Sequence, residues 1–382
     1  MRRRTLLLPV LIPPILMLAA CTGGDDGGAD DPGLPDDDLV EDIDAGPADD
    51  DENATDETPT DGTLAQVRSR GVLNCGINGQ VPGFGFVTPE GTYEGFDVEF
   101  CQVVAAAVLG DADAVEYIEL TAEARLTALQ AREIDVLIRN TTWTALRDGA
   151  ENVSFATTTF YDGQGMMVRT DDGFSSIADM QDTVVCTLSG TTTELNLESA
   201  FSAHGVDYEP LTFEDNDTLR EAFLTDRCDG WTSDKSQLAA FKAEWPTDEG
   251  GPDALVVLDE TMSKEPLSPA TLDGDVEWFD TVNWAVIATI QAWEFGIDST
   301  NVDEFLAVDP EENPDVARFL GIDDFNPGLG LDADFAVDIL QQVGNYQEIY
   351  ERTVGPDTAL GLEPELNNLW TEGGLLYAPP YR

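Results

Sequence analysis

Two arginines bracket a run of amide and hydroxyl side chains in Arg139-Asn140-Thr141-Thr142-Trp143-Thr144-Ala145-Leu146-Arg147. The preceding stretch, Glu133-Ile134-Asp135-Val136-Leu137-Ile138, reads as a short buried strand. Asn140, Thr141 and Thr142 carry oxygens of the kind that cap a helix N-terminus, so the expected path is strand, hydroxyl-rich turn, helix start. A helix start offers free backbone N–H groups and a partial positive charge. An arginine beside it adds a planar fork that matches a carboxylate with two hydrogen bonds. The chemistry these residues suit is the grip of a small carboxylate. Taken alone, Arg139 and Arg147 also suit surface ion pairs in an acidic protein.

A second stretch repeats the theme. Gly190-Thr191-Thr192-Thr193-Glu194 comes after an expected strand over 183–188 and opens a helix over 194–203. Asp229-Gly230-Trp231-Thr232-Ser233-Asp234 reads as a strand and its end. By type alone Asp234 is a helix N-cap for Gln237 onward, and Asp229 fits a structural role at the strand start. His204 is the single histidine, so any histidine-based metal site or nucleophile–histidine pair would rest on it alone. Its place before Gly205 suits a helix C-terminus.

The elements that must position these residues can be read along the chain in order. Residues 1–20 read as a signal segment, with Arg2, Arg3 and Arg4 before a proline-broken apolar stretch too short to span a membrane comfortably. Leu18-Ala19-Ala20-Cys21 matches a lipobox, which makes Cys21 the expected site of lipidation. Residues 21–62, rich in Asp, Glu, Gly, Pro and Thr, have too little apolar surface to offset their ordering entropy. They read as a disordered acidic tether, which fully extended would reach on the order of 100 Å. From there the pattern is β-α-β-α-β, then a second such series. This implies an α/β protein built on mostly parallel sheets. Phe84 and Phe86 flank a Gly/Pro turn after the first strand. Apolar residues at helical spacing over 96–109 stop at Gly110, and one long helix is expected near 333–350.

The formal net charge is −58, from 18 Lys+Arg against 76 Asp+Glu, which argues against nucleic acid or anionic lipid as a partner. The lysines are Lys235, Lys242 and Lys264. Such a surface suits high salt, where repulsion is screened.

Several motifs, in order, resemble the amino-acid-binding proteins of ABC transporters, in particular the general L-amino-acid-binding branch. They are GFDVEFCQVVAAAV (95–108), EIDVLIRNTTWTALRDGAENVSFATTTFYDGQGMMV (133–168), GTTTELNL (190–197), DRCDGWTSDKSQL (226–238), SKEPLSPA (263–270) and GGLLYAPPYR (373–382). The resemblance implies a two-lobed type 2 solute-binding fold, each lobe a mostly parallel sheet flanked by helices, joined by two crossing strands. It places the first lobe in 63–165, the second in 166–263, and the return to the first in 264–382, with the tail as a strap. Carried over residue by residue, it implies that Arg147 grips a ligand α-carboxylate. Asn140 and Thr142 become first-lobe polar contacts, Thr191 and Thr192 the second-lobe clamp, and Asp234 the acceptor of the α-ammonium. Phe84 falls where relatives place aromatic contacts. Asn78 stands where binders of basic amino acids carry an acidic residue, and Arg139 is the candidate for a second positive group.

The function this resemblance implies is capture of free L-amino acids outside the cytoplasm and delivery to an ABC permease. The implied protein is a monomer anchored through Cys21 to the outer face of the cell membrane, or periplasmic, without metal, cofactor or catalysis. The competing readings are a dehydratase-like enzyme on the same fold, a lytic enzyme needing a further catalytic domain, and a sensor needing a transmembrane helix after the lobes. With Cys21 lipidated, four cysteines allow three pairings. The lobe layout implied by the resemblance favours Cys75–Cys101 and Cys186–Cys228, since pairings across the lobes would lock the hinge.

Overall fold

The computed structural model describes residues 62–322 and 325–382; the signal segment, Cys21 and the tether up to residue 61 lie outside the described residues. One five-stranded sheet runs Val115–Glu119, Leu73–Ile77, Val136–Leu137, Ala270–Leu272, Val153–Phe155. The first three strands are parallel, and Ala270–Leu272 runs antiparallel to both of its neighbours. Leu73, Cys75 and Ile77 are fully buried. The helix Phe96–Leu109 packs on this strand and is itself covered by the helices Val276–Phe295 and Phe335–Gln342. Burial from several sides explains why its apolar residues are not confined to one stripe.

A second sheet runs Tyr208–Phe213, Thr183–Leu188, Gly230–Asp234, Phe160–Arg169, Leu255–Val257. Its first three strands are parallel, and Phe160–Arg169 lies antiparallel to Gly230–Asp234. The link between the two sheets is a pair of antiparallel segments. The start of Phe160–Arg169 pairs with Lys264–Leu267 in the register Phe160↔Leu267 to Gly163↔Lys264. One segment runs on into the second sheet and the other returns to Ala270–Leu272 in the first. A small three-stranded sheet, Gln80–Val81, Gly85–Val87 and Tyr93–Glu94, fills the stretch read from sequence as a Gly/Pro turn.

Both expected disulfides are present, Cys75–Cys101 with Cα atoms 6.1 Å apart and Cys186–Cys228 with Cα atoms 5.7 Å apart. Each closes within one lobe. The expected helix near 333–350 is two, Phe335–Gln342 and Tyr346–Thr353. Gly344 takes a left-handed φ of 101°, and Asn345 restarts the chain with a capping box to Glu348. The tail returns to the hinge. Asn367 Oδ1 accepts the Tyr161 N–H at 2.6 Å, and its Nδ2 donates to the Tyr161 carbonyl at 3.1 Å. Tyr381 then buries its ring against Trp284 and Phe319. Among the described residues no helix is long and apolar enough to cross a membrane.

Candidate functional site

The run 139–147 does not open a helix at Asn140–Thr142. The chain from Thr141 to Trp143 is held extended against the returning crossing strand, with Ser268 N–H bonded to the Thr141 carbonyl at 3.0 Å and Trp143 N–H to the Pro266 carbonyl at 2.8 Å. The helix therefore begins later, at Ala145–Ala150, with Thr144 as the cap, its hydroxyl accepting the Arg147 N–H at 3.2 Å. Asn140 adopts a left-handed φ of 31°, a conformation its short polar side chain tolerates, and its N–H donates to Asp97 Oδ2 at 2.7 Å. Arg147 is buried, donating to the Thr142 carbonyl at 2.8 Å and across the cleft to the Gly190 carbonyl at 3.4 Å.

The second lobe brings a helix start to the same place. Thr191 caps the helix Thr192–His204, accepting the Glu194 N–H at 3.1 Å. Gly190 has φ 71°, and a Cβ there would stand 3.0 Å from the Glu123 Cα of the facing lobe. This is close approach of backbone that glycine permits. Asp234 ends the strand Gly230–Asp234 and occupies the N-cap position of Lys235–Ala243, yet its side chain makes no cap bond. It is buried and points to Asn140, whose Nδ2 lies 3.4 Å from Oδ2.

Most of these groups line one small cavity between the lobes. Asn78, Asn140, Thr142, Thr191, Thr192 and Asp234 all contribute to its wall, together with Arg125, Arg139 and Gln237. Arg147 is not among the wall residues; its guanidinium donates to the carbonyls of the wall residue Thr142 and of Gly190. Phe84 is not on the wall. Its ring is buried in an aromatic cluster, 5.1 Å from Phe160 and 5.9 Å from Phe96.

Charge in the cavity is unevenly satisfied. Burial, then the nearby Asp162 and Glu265 carboxylates, pushes Asp234 well above the ordinary carboxylate range. Burial pushes Asp97 up to about 7, with the Asn140 N–H and Arg139 opposing. Burial, with like charge from Arg147 and Arg139, pulls Arg125 well down from the usual guanidinium range. Arg139 is lowered to about 10, mainly by burial, and spends its Nε on the Leu120 carbonyl at 2.6 Å. Arg125 is different: its buried Nε has no hydrogen-bond partner. Arg125 therefore joins Arg139, the candidate from sequence, as a positive group on the cavity wall. The motif Glu123-Ala124-Arg125 sits in a helix-like stretch that gave no reason to single it out.

Glu265 was also missed. It rises from the return crossing and accepts Thr142 Oγ1 and Thr192 Oγ1, both at 2.7 Å, Asn196 Nδ2 at 3.3 Å, and Ser263 Oγ. One carboxylate thereby ties both lobes to the hinge, a role with no spacing signature in a chain with 76 acids. The groups this wall offers a ligand are the buried Asp234 carboxylate, the Arg125 and Arg139 guanidinium groups and the Thr191–Thr192 helix start. That arrangement can take a zwitterion.

Two sheets joined by paired crossing segments, with a polar cavity between them, define the class of two-lobed solute-binding proteins. The chain belongs to the bacterial extracellular solute-binding proteins, family 3, whose pattern it matches over residues 73–356. It is 43% identical over 323 residues to the general L-amino acid-binding periplasmic protein AapJ of Rhizobium johnstonii, covering 84% of this chain and 93% of that one. It is 42% identical over 321 residues to the glutamate/glutamine/aspartate/asparagine-binding protein BztA of Rhodobacter capsulatus, again covering 84% of this chain and 93% of that one. Its fold superposes on a periplasmic binding protein from Brucella ovis solved with glutathione bound, with a TM-score of 0.79 and 40% identity. That match covers 84% of this chain and all of the other.

Proposed function

We propose that this protein captures free L-amino acids outside the cytoplasm, in the cleft between its lobes, and delivers them to an ABC-transporter permease. The observation that carries the reading is Asp234: a buried carboxylate at a helix start that makes no cap bond and shares a cavity wall with Arg125 and Arg139. A ligand ammonium supplies the charge it lacks, and Arg147 with the Thr191–Thr192 helix start takes the carboxylate. Contacts from both lobes are complete only when the lobes are closed, so ligand shifts the open–closed balance toward closure. Arg125, with its unpaired Nε, favours side chains that end in a carboxylate or carboxamide. The relative BztA, named for glutamate, glutamine, aspartate and asparagine, is consistent with that class. The protein binds without turnover, and Cys21 in its lipobox supplies the membrane anchor.

Calorimetry with a panel of the twenty amino acids tests this reading. Arg147→Lys keeps the charge and loses the fork, so binding should weaken at least about tenfold for every amino acid, roughly 1.4 kcal/mol. Arg125→Gln should weaken acidic and amide side chains selectively. No binding by the wild type, or an Arg147→Lys loss confined to one side-chain class, would refute the assignment.

A further inference from the structure

Carboxamide groups from both lobes close into a hydrogen-bonded ring at one end of the cleft. Asn78 Nδ2 donates to Asn140 Oδ1 at 3.2 Å, Asn140 Nδ2 to Gln237 Oε1 at 3.2 Å, and Gln237 Nε2 to Asn216 Oδ1 at 2.8 Å. The Asn216 backbone N–H then donates to Gln80 Oε1 at 3.0 Å, and the Gln80 backbone N–H returns to Asn78 Oδ1 at 3.1 Å. Asn78 and Asn140 come just after strands of the first sheet, and Gln80 starts the small sheet beside it. Asn216 and Gln237 lie on the second-lobe helices Asn216–Leu224 and Lys235–Ala243. Two bonds of the ring therefore cross the cleft, Asn140 to Gln237 and Asn216 to Gln80.

We propose that this ring is an electrically neutral clasp that holds the lobes shut, and that Gln80 and Asn216 are positioning residues that set how long a bound amino acid stays. The inference rests on the amino-acid-binding reading of the cleft. Gln80 and Asn216 take no part in the cavity wall, whereas Asn78, Asn140 and Gln237 do. Asn140 also reaches Asp234 Oδ2, so the clasp and the ammonium site share one side chain. Opening the lobes breaks both crossing bonds and withdraws Asn140 from Asp234 together, and bonds linked in this way act cooperatively.

The physical reason for carboxamides is charge. In a chain of net charge −58, closure through ionised carboxylates facing each other would be repulsive and would change with salt. Carboxamides neither titrate nor suffer screening as monopoles. Gln80 illustrates the constraint, since its Nε2 lies 3.4 Å from the Asp217 carboxylate. A glutamate there would keep an acceptor for the Asn216 N–H but set two carboxylates side by side.

Stopped-flow kinetics with L-glutamate on the full chain tests the clasp, in dilute buffer and in molar potassium chloride. Gln80→Ala removes the bond from the Asn216 N–H and the long, exposed bond to Asp217, and should release ligand about fivefold faster, roughly one net hydrogen bond since the second is weak, with association unchanged and most of the effect kept in molar salt. Its unfolding midpoint without ligand should stay at the wild-type value. Gln80→Glu should release fast in dilute buffer and recover toward wild type in molar salt. A wild-type release rate for Gln80→Ala, a change in association instead, or a loss of its effect in molar salt overturns the clasp. Wild-type protein that binds no amino acid overturns the reading of the cleft itself, and the clasp with it.

Discussion

Asp97 accepts the Asn140 N–H while buried beneath the ligand loop, and its raised proton affinity has a definite sign for stability. Its carboxyl titrates near 7 in the folded chain against 3.8 for the free group. The folded state thus holds a proton that the unfolded chain has already lost, so stability is fully present below pH 3.8 and is lost as pH rises through about 7. Asp162, pushed up to about 6 by burial in the hinge, acts in the same direction. Asn at position 97 keeps an oxygen for the Asn140 N–H and removes the titration. Urea denaturation of unliganded Asp97→Asn should show a gain over wild type that grows from pH 4 to pH 8, reaching on the order of 2–4 kcal/mol. A gain that is the same at every pH would mean Asp97 does not titrate in this range.

At the scale of elements, the crossing strand Phe160–Arg169 is the piece on which everything else hangs. It belongs to the second sheet, pairs with the return segment, and receives the tail through Asn367. Asn367 supplies both a donor and an acceptor to Tyr161, as a neighbouring strand would, where the strand has no backbone partner on that side. Asn367→Ala should therefore cost about 1–3 kcal/mol in urea unfolding, since it leaves a half-buried backbone N–H and carbonyl unpaired. Ligand affinity at fixed folded protein should fall far less than in Arg147→Lys, because Asn367 is remote from the cavity wall. A neutral effect on stability would show that the tail merely lies on the hinge.

At the scale of the molecule, charge dominates. With 76 acids and 18 Lys+Arg, most carboxylates have no cation of their own, and pairs such as Arg352–Glu99 and Arg169–Asp226 engage few of them. Repulsion of this kind acts over about 30 Å at 0.01 M salt and about 3 Å at 1 M. The unfolding midpoint should therefore rise from dilute buffer to molar salt, as read by scanning calorimetry. A protein most stable in dilute buffer would overturn the view that its surface suits high salt.

The sequence by itself determined a great deal here, because local signals were strong. The helix Phe96–Leu109 is bounded by glycines on both sides, and Gly110 closes it in the left-handed conformation. The strand Thr183–Leu188 was legible at its bounds, and the helix after Gly190 was legible too, though it starts at Thr192 under a Thr191 cap and not at 194. Ordered motifs were enough to indicate the two lobes and both disulfide pairings. Other features depended on partners distant in the chain. Thr141–Trp143 is extended, not helical, because Pro266 and Ser268 arrive from a far part of the chain to bond it. Asp234 makes no cap bond, and its carboxylate instead meets Asn140, which lies far away in the chain. That Arg125 joins Arg139 on the cavity wall follows from packing, while the Arg139 Nε is taken by the Leu120 carbonyl. Glu265 and the carboxamide ring are likewise sums of contacts from several segments, each ordinary in its own stretch of sequence. Propensity and capping act within a few residues of chain. Which buried polar group finds a partner, and which is left for a ligand, is decided only when distant segments are packed together.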